Sequence, residues 1–217
     1  SLMEIIDIYC KEIHNNFSPR TYDFAAKALP GALTRLLTAA QPRQLLGADF
    51  DPASRIVVEG PVEKIKSLSK NQTLIFTPTH FSNLDSPMIG YGLLNAKLPP
   101  VIYGAGLNLF SNPLMAFFMS RLGAYTVDRR KKNKLYIDVL KDYSIAAIQS
   151  KCPSLFYPGG TRSRSGKLES HLKKGLLGTG ITAWQDSLLE ESPIEVLIVP
   201  VTLSYSMTLE AETLIQD

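Results

Sequence analysis

Hydrophobic positions change their period near residue 50. Over residues 1 to about 46 they recur at helical spacing, as in Ile5-Ile6-x-x-Tyr9 and Leu29-x-x-x-Leu33-x-x-Leu36-Leu37, with Pro19, Pro30 and Pro42 as breaks. Beyond that point short apolar runs alternate with helical stretches. The expected strands are 55–59, 73–77, 101–104, 124–128, 154–157 and 195–204. The expected helices are 61–69, 87–94, 113–122, 135–149 and 172–189, three of them opened by a proline, which suits the first helical position. This alternation predicts an α/β fold: a largely parallel mixed sheet flanked by helices. An N-terminal helical segment, 1–48, precedes the main domain, 49–217. The preface either covers part of the core or turns its apolar faces to lipid or a partner; covering the core is the commoner outcome, and the pattern leaves both open. Met115, Phe117, Phe118 and Met119 are expected in the core on the same reasoning.

A chain of 217 residues with 45% apolar and 20% charged positions belongs to the folded globular class and can bury a substantial interior. A net charge of +3 is too modest for a nucleic-acid binder. The cations are nonetheless uneven, dense over 129–134 and again over 162–174, and no aromatic residues are interleaved with them as stacking readers require. Local anion binding is the better expectation, with no nucleic acid as partner. Cys10 and Cys152 stand alone, without the spacing of a zinc site or a disulfide framework. The N-terminal segment does not read as a signal peptide, and no run of ~18 apolar residues marks a span, which leaves cytoplasmic or membrane-surface residence. A spanning segment beyond Asp217 stays open.

Two segments carry candidate chemistry. In Thr79-His80-Phe81-Ser82-Asn83-Leu84-Asp85 an imidazole and a carboxylate lie five positions apart, where the apolar run Leu74-Ile75-Phe76 gives way to a turn. Histidine can take a proton from a hydroxyl near neutrality, and a carboxylate on its other nitrogen fixes the tautomer. Five positions on a regular helix rotate a side chain by roughly 140°, so the two meet only across a bend. Pro78, Ser82-Asn83 and Ser86-Pro87 supply one, the last pair reading as a helix cap followed by proline. A satisfied loop histidine and a helix-start carboxylate are an equal reading of this segment alone. The second segment, Phe156-Tyr157-Pro158-Gly159-Gly160-Thr161-Arg162-Ser163-Arg164-Ser165-Gly166-Lys167, is a Gly-rich loop crowded with cations and hydroxyls after a strand. Glycines free backbone N–H groups and arginine grips oxyanions, as phosphate binding requires. Its spacing is not that of a Walker loop. Alone, it is more readily a solvated basic loop.

Together these segments resemble the glycerolipid acyltransferase superfamily, which includes the glycerol-3-phosphate and 1-acylglycerol-3-phosphate acyltransferases. The resemblance covers about residues 70 to 205. His80 and Asp85 match the family's His-x-x-x-x-Asp block. The run from Gly123 to Arg129 is similar to the second block, that from Tyr157 to Ser163 to the third, Phe-Pro-Glu-Gly-Thr-Arg-Ser, and Val199-Pro200-Val201 to the fourth, a proline in a buried strand. The longer forms, Gly106 to Leu109 and Arg162 to Lys167, lean toward the glycerol-3-phosphate branch. Two departures stand out: Thr79 where the family has asparagine, and Gly159 where it has a glutamate that organises the acceptor site. Glu169 is one carboxylate that could substitute.

The resemblance implies acyl transfer from a thioester, acyl-CoA or acyl carrier protein, to a hydroxyl of glycerol-3-phosphate in phospholipid biosynthesis. His80 would be the base and Asp85 its orienting partner. Arg129 and Arg162 would hold the acceptor phosphate, with Gly160, Thr161 and Ser163 shaping the loop and Lys167 assisting. No metal or resident cofactor is called for, the acyl donor being a co-substrate. The expected place is the cytoplasmic face of a membrane, bound peripherally, or the cytoplasm. Rival expectations are a lysophosphatidic acid acyltransferase and a catalytically silent protein that binds lipid or acyl carrier, marked by Gly159. Pro200 is expected to shape a strand edge or bulge.

Overall fold

The strand runs read from the sequence assemble into one parallel sheet in a computed structural model, which describes residues 1–39, 56–82, 84–111, 113–160 and 172–205. The strands are β1 (Gln72–Pro78), β2 (Ile102–Gly106), β3 (Ala124–Val127), β4 (Ser154–Leu155) and β5 (Glu195–Val201), in the spatial order β3-β2-β4-β1-β5. Among the described residues every pairing is parallel, so the sheet is not mixed there. Parallel strands need helical crossovers, and these are α3 (Val62–Leu68), α4 (Asp85–Asn95), α5 (Pro113–Arg121), α6 (Lys134–Gln149) and α7 (Gly178–Ser187), with a short 3-10 turn at Leu107–Phe110. Two helices precede them, α1 (Leu2–Ile13) and α2 (Pro19–Ala39).

The run Thr73 to Phe76 is buried on both sides because helices cover both faces of the central strand. Leu74 and Phe76 pack with Ile89 and Leu93 of α4 on one face. Ile75, from the alternate position, packs with Ile148 of α6 and Ala183 of α7 on the other. The N-terminal helix joins this second layer: Ile13 is fully buried in a cluster with Tyr125, Tyr136, Val139 and Leu140. One face of α1 thus covers core, while Leu2, Met3, Ile5 and Ile8 on its other side are exposed.

Several sequence expectations give way to packing. Residues 56–59 form no strand, although Val57 and Val58 are β-branched. Both are exposed and pair with no strand among the described residues, and β-propensity acts through such a neighbour. Residue 55 and Pro42 lie outside the described residues. Pro30 sits inside α2 instead of breaking it, flanked by the strong helix formers Ala25, Ala26, Ala28 and Leu29, which offset the single backbone bond it forgoes. The last helix begins at Gly178 and not at 172, because the Lys173 N–H bonds to Pro158 O at 2.7 Å, a tertiary partner in place of a helical one. Pro200 lies exposed on the edge strand β5 in unbroken register opposite Thr77, an edge without a bulge and not a buried position. Before β3, Gly123 turns at φ +100°, and a Cβ there would lie 2.5 Å from the Val101 carbonyl oxygen.

Ile13→Ala is expected to lower unfolding free energy by about 2–5 kcal/mol, as for other fully buried side chains. Ile8→Ala on the exposed side should stay within about 0.5 kcal/mol. Urea denaturation followed by circular dichroism reads both, and equal effects would mean that α1 is not docked as described.

Candidate active site

His80 leaves the end of β1 and Asp85 opens α4, so the turn between them supplies the bend that the spacing requires. The helix starts at Asp85, one residue before Ser86-Pro87, and its cap residue, Leu84, makes no side-chain cap bond. In the turn before it, Leu84 N–H donates to Ser82 Oγ at 3.0 Å and Ser82 N–H donates to Asp85 Oδ2 at 3.0 Å. Ser86 Oγ instead bonds the Tyr157 hydroxyl at 3.0 Å. Pro78 is the last residue of β1, still in register with Val201.

Asp85 falls on the same stripe of α4 as Ile89 and Leu93, at intervals of four, and is therefore drawn under the strand ends with no exposed surface. Its Oδ2 lies 2.7 Å from His80 Nδ1 and accepts the Phe81 N–H at 2.7 Å as well as that of Ser82. Its Oδ1 accepts the Tyr205 hydroxyl at 2.7 Å. Burial by itself would raise this carboxyl, but the bonds from His80, Ser82, Tyr205 and Phe81 together outweigh it and hold the group below the ordinary carboxylate range. Asp85 is therefore ionised at neutral pH and only accepts. His80 Nδ1 must then carry the proton, which leaves the Nε2 lone pair for an incoming hydroxyl. The imidazole is stacked on Tyr157, with centroids 4.1 Å apart and planes 26° from parallel. Burial pushes the Tyr157 hydroxyl up to about 12, its bond to Ser86 opposing and the Asp85 charge adding to the rise, so this phenol stays neutral.

His80 opens onto a cleft of about 1520 Å³ along the C-terminal ends of the strands. Its lining includes Arg129, Arg130, Lys131 and Lys132 from the loop after β3, Gly160 and Lys173, and also the apolar Ile89, Leu93, Val101, Leu107, Met119 and Leu122. The cations are not equivalent. Arg130 is paired with Asp128, through Nε to Oδ1 at 3.0 Å, and Lys131 with Glu12. Arg129, Lys132 and Lys173 have no acidic partner among the described residues. Gly160 turns at φ +70° and a Cβ there would meet Lys173 Cδ at 2.7 Å, so the glycine admits that lysine to the site. Thr161, Arg162, Ser163, Lys167 and Glu169 lie outside the described residues.

His80, Arg129 and Gly160 are thus brought to one cleft with Asp85 behind them. Lys173, Tyr157 and Tyr205 are additions. Lys173 was visible only as one cation in a basic run, Tyr157 as the aromatic opening of a loop, and Tyr205 stands 120 residues from its partner with no local signal. Met119 and Phe117 correct the core expectation: Met119 lines the cleft and Phe117 is 47% exposed, since α5 lies at the cleft rim. Phe118 is half-buried, and the side chain of Met115 lies outside the described set. No helix among the described residues is long and apolar enough to cross a membrane.

A parallel α/β sheet thus carries, at its strand ends, a histidine held by a buried carboxylate and open to a cleft lined by both cations and apolar side chains. The model of the Acyltransferase family matches residues 59–204, and the chain belongs to that family. The glycerol-3-phosphate acyltransferase of Pseudomonas aeruginosa PAO1 is 28% identical over 153 residues, 70% of this chain and 18% of that protein. Its counterpart from Pseudomonas fluorescens Pf0-1 is 29% identical over the same length and share. The match therefore spans less than a fifth of these relatives. Among solved structures, the 1-acyl-sn-glycerophosphate (LPA) acyltransferase PlsC from Thermotoga maritima aligns with a TM-score of 0.41 at 15% identity, over 90% of this chain and 89% of that one.

Because Asp85 is depressed when folded, its contribution to stability is complete above the unfolded carboxyl value of about 4 and is lost as pH falls through the folded one. Asp85→Asn should cost about 1–3 kcal/mol at pH 7, and less as the medium is acidified toward pH 3. Urea titrations at several pH values read this, and a penalty independent of pH would count against an ionised Asp85.

Proposed function

We propose that this protein transfers a fatty acyl group from a thioester, acyl-CoA or acyl carrier protein, to a hydroxyl of glycerol-3-phosphate. The observation that carries the reading is the His80 imidazole, held by a buried ionised carboxylate with Nε2 left for the cleft. The acceptor hydroxyl gives its proton to Nε2 as its oxygen attacks the thioester carbonyl carbon. The resulting oxyanion gains from the cations of the cleft, Arg129 and Lys173 in particular. Collapse breaks the C–S bond, and the departing thiolate takes the proton back from the imidazolium, whose charge Asp85 stabilises in the interval. No side chain is acylated.

The same cations suit the acceptor phosphate, and the apolar lining suits the acyl chain. Arg162, Lys167, Thr161 and Ser163 belong to the acceptor loop in this reading by their place in the motif. The relatives named for glycerol-3-phosphate support the choice of acceptor. The reading extends to a peripheral position on the cytoplasmic face of a membrane, where an acylated product stays, and the exposed Leu2, Met3, Ile5 and Ile8 of α1 support it.

The test is thiol release from acyl-CoA or acyl carrier protein in the presence of glycerol-3-phosphate. His80→Ala should lower kcat by about 10²–10⁴, the usual span for a positioned base. Arg129→Ala should raise KM for the acceptor about tenfold or more, with a smaller change for the donor. Release that does not need an acceptor, or that persists in His80→Ala, would refute the reading. Release with a monoacyl acceptor alone would move it to a lysophosphatidic acid acyltransferase.

A further inference from the structure

We propose that Tyr205 is a positioning residue of the His80–Asp85 pair, its hydroxyl bond to Asp85 Oδ1 fixing the carboxylate and setting the basicity of the pair. The proposal rests on the acyl-transfer reading above.

A carboxylate has two oxygens, and the turn before α4 serves only one of them. Oδ2 takes His80 and the two N–H groups of Phe81 and Ser82. Buried with Asp85, Oδ1 takes its hydrogen bond from Tyr205. Without that hydroxyl a buried, ionised oxygen loses a short hydrogen bond, and the carboxylate can rotate about its own axis, weakening the alignment toward His80.

The chain invests several contacts in bringing Tyr205 there. The β1–β5 ladder reaches Pro78 opposite Val201. It is prolonged by the Thr79 N–H, which donates to Val201 O at 3.1 Å, and by the Leu203 N–H, which donates to Thr79 Oγ1 at 3.1 Å. Two residues further on, the Tyr205 ring packs against Met88 and Tyr91 of α4. Thr79 is one of the two departures from the family pattern, and its hydroxyl is the group that accepts from this segment. Tyr205 itself does not line the cleft. It acts on substrate only through Asp85.

The groups facing the pair define the sign of the effect. His80 comes from the end of β1, Tyr205 from beyond β5, and Tyr157 from beyond β4; Tyr91 lies on α4, and Arg129 and Lys173 share the cleft that His80 lines. Asp85 has no lysine or arginine partner among the described residues. The tyrosine hydroxyl stabilises the carboxylate, so removing it makes the carboxylate more basic and draws the Nδ1 proton toward it. The pair then gives up its extra proton only at higher pH.

The experiment is Tyr205→Phe, which keeps the ring against Met88 and Tyr91. The acidic limb of the pH profile of kcat/KM should move upward by about 0.5 or more, and kcat should fall about tenfold while KM for donor and acceptor stays within about twofold. Thr79→Val should shift the limb the same way by less. A profile that superposes on the native one, or a rise in KM with kcat intact, overturns the proposal. A second arm needs no turnover: the stability difference between native protein and Tyr205→Phe, measured with urea, should be largest near neutral pH and shrink as Asp85 becomes protonated. A difference constant with pH would reduce Tyr205 to packing and overturn the proposal. If the native protein releases no thiol, the acyl-transfer reading fails by itself, and this arm still decides whether Tyr205 sets the charge of Asp85.

Discussion

The ionised carboxylate of Asp85 sits where an apolar residue would ordinarily be, on the core-facing stripe of α4 in line with Ile89 and Leu93. Taking a charge out of water costs far more than any one hydrogen bond returns, so the position survives only because several donors converge on it. Two come from the turn that precedes the helix, one from the imidazole, one from a tyrosine beyond the last strand. The requirement ties together the ends of β1 and β5 and the start of α4. What orients the His80 imidazole is therefore inseparable from what closes the sheet at this end.

A second constraint is the pairing of charges around the cleft. Four cations follow β3, but two are spent on structure: Arg130 closes a ring with Asp128, whose carboxyl the arginine's side-chain bond holds below the usual range, and Lys131 reaches Glu12 and the rings of Tyr9 and Tyr136. Those left without an acidic partner among the described residues, Arg129, Lys132 and Lys173, line the cleft. A surface of this kind attracts anions and repels cations.

Period and turn chemistry made the sheet legible, because a strand buried on both faces reads as an uninterrupted apolar run such as Leu74-Ile75-Phe76; of the three prolines expected to open helices only Pro113 does so, Pro61 standing one residue before α3 and Pro87 third within α4. The errors have a common cause. Residues 56–59 have strand composition without a partner strand, and residues 172–177 have helical composition with a tertiary bond to Pro158 instead. Propensity describes what a segment favours alone; the register of distant segments decides. The same holds in the site. His80 and Asp85 were legible because one turn holds both, and Arg129 because it follows a strand. Tyr205 depends on the β1–β5 register carried past its last pair through a threonine hydroxyl, which no local pattern encodes.

The N-terminal helix belongs to this argument as well. Its inner face packs Ile13 among Tyr125, Tyr136 and Leu140, and its polar edge reaches the loop that carries Arg129: Glu12 binds Lys131, and the Asn133 side-chain amide donates to the Tyr9 hydroxyl at 2.9 Å. Asn133 also caps α6 by accepting the Tyr136 N–H at 2.7 Å. Loop 128–133 is thus held at Asp128, Lys131 and Asn133, and Arg129 is presented from a backbone that its neighbours have already fixed. A side chain on a free loop would have to be ordered on each encounter with a ligand, at an entropic cost of about 1–2 kcal/mol per residue. With the loop held by α1 and α6, most of that ordering precedes the ligand, and the distance between Arg129 and His80 becomes a property of the fold and not of the complex.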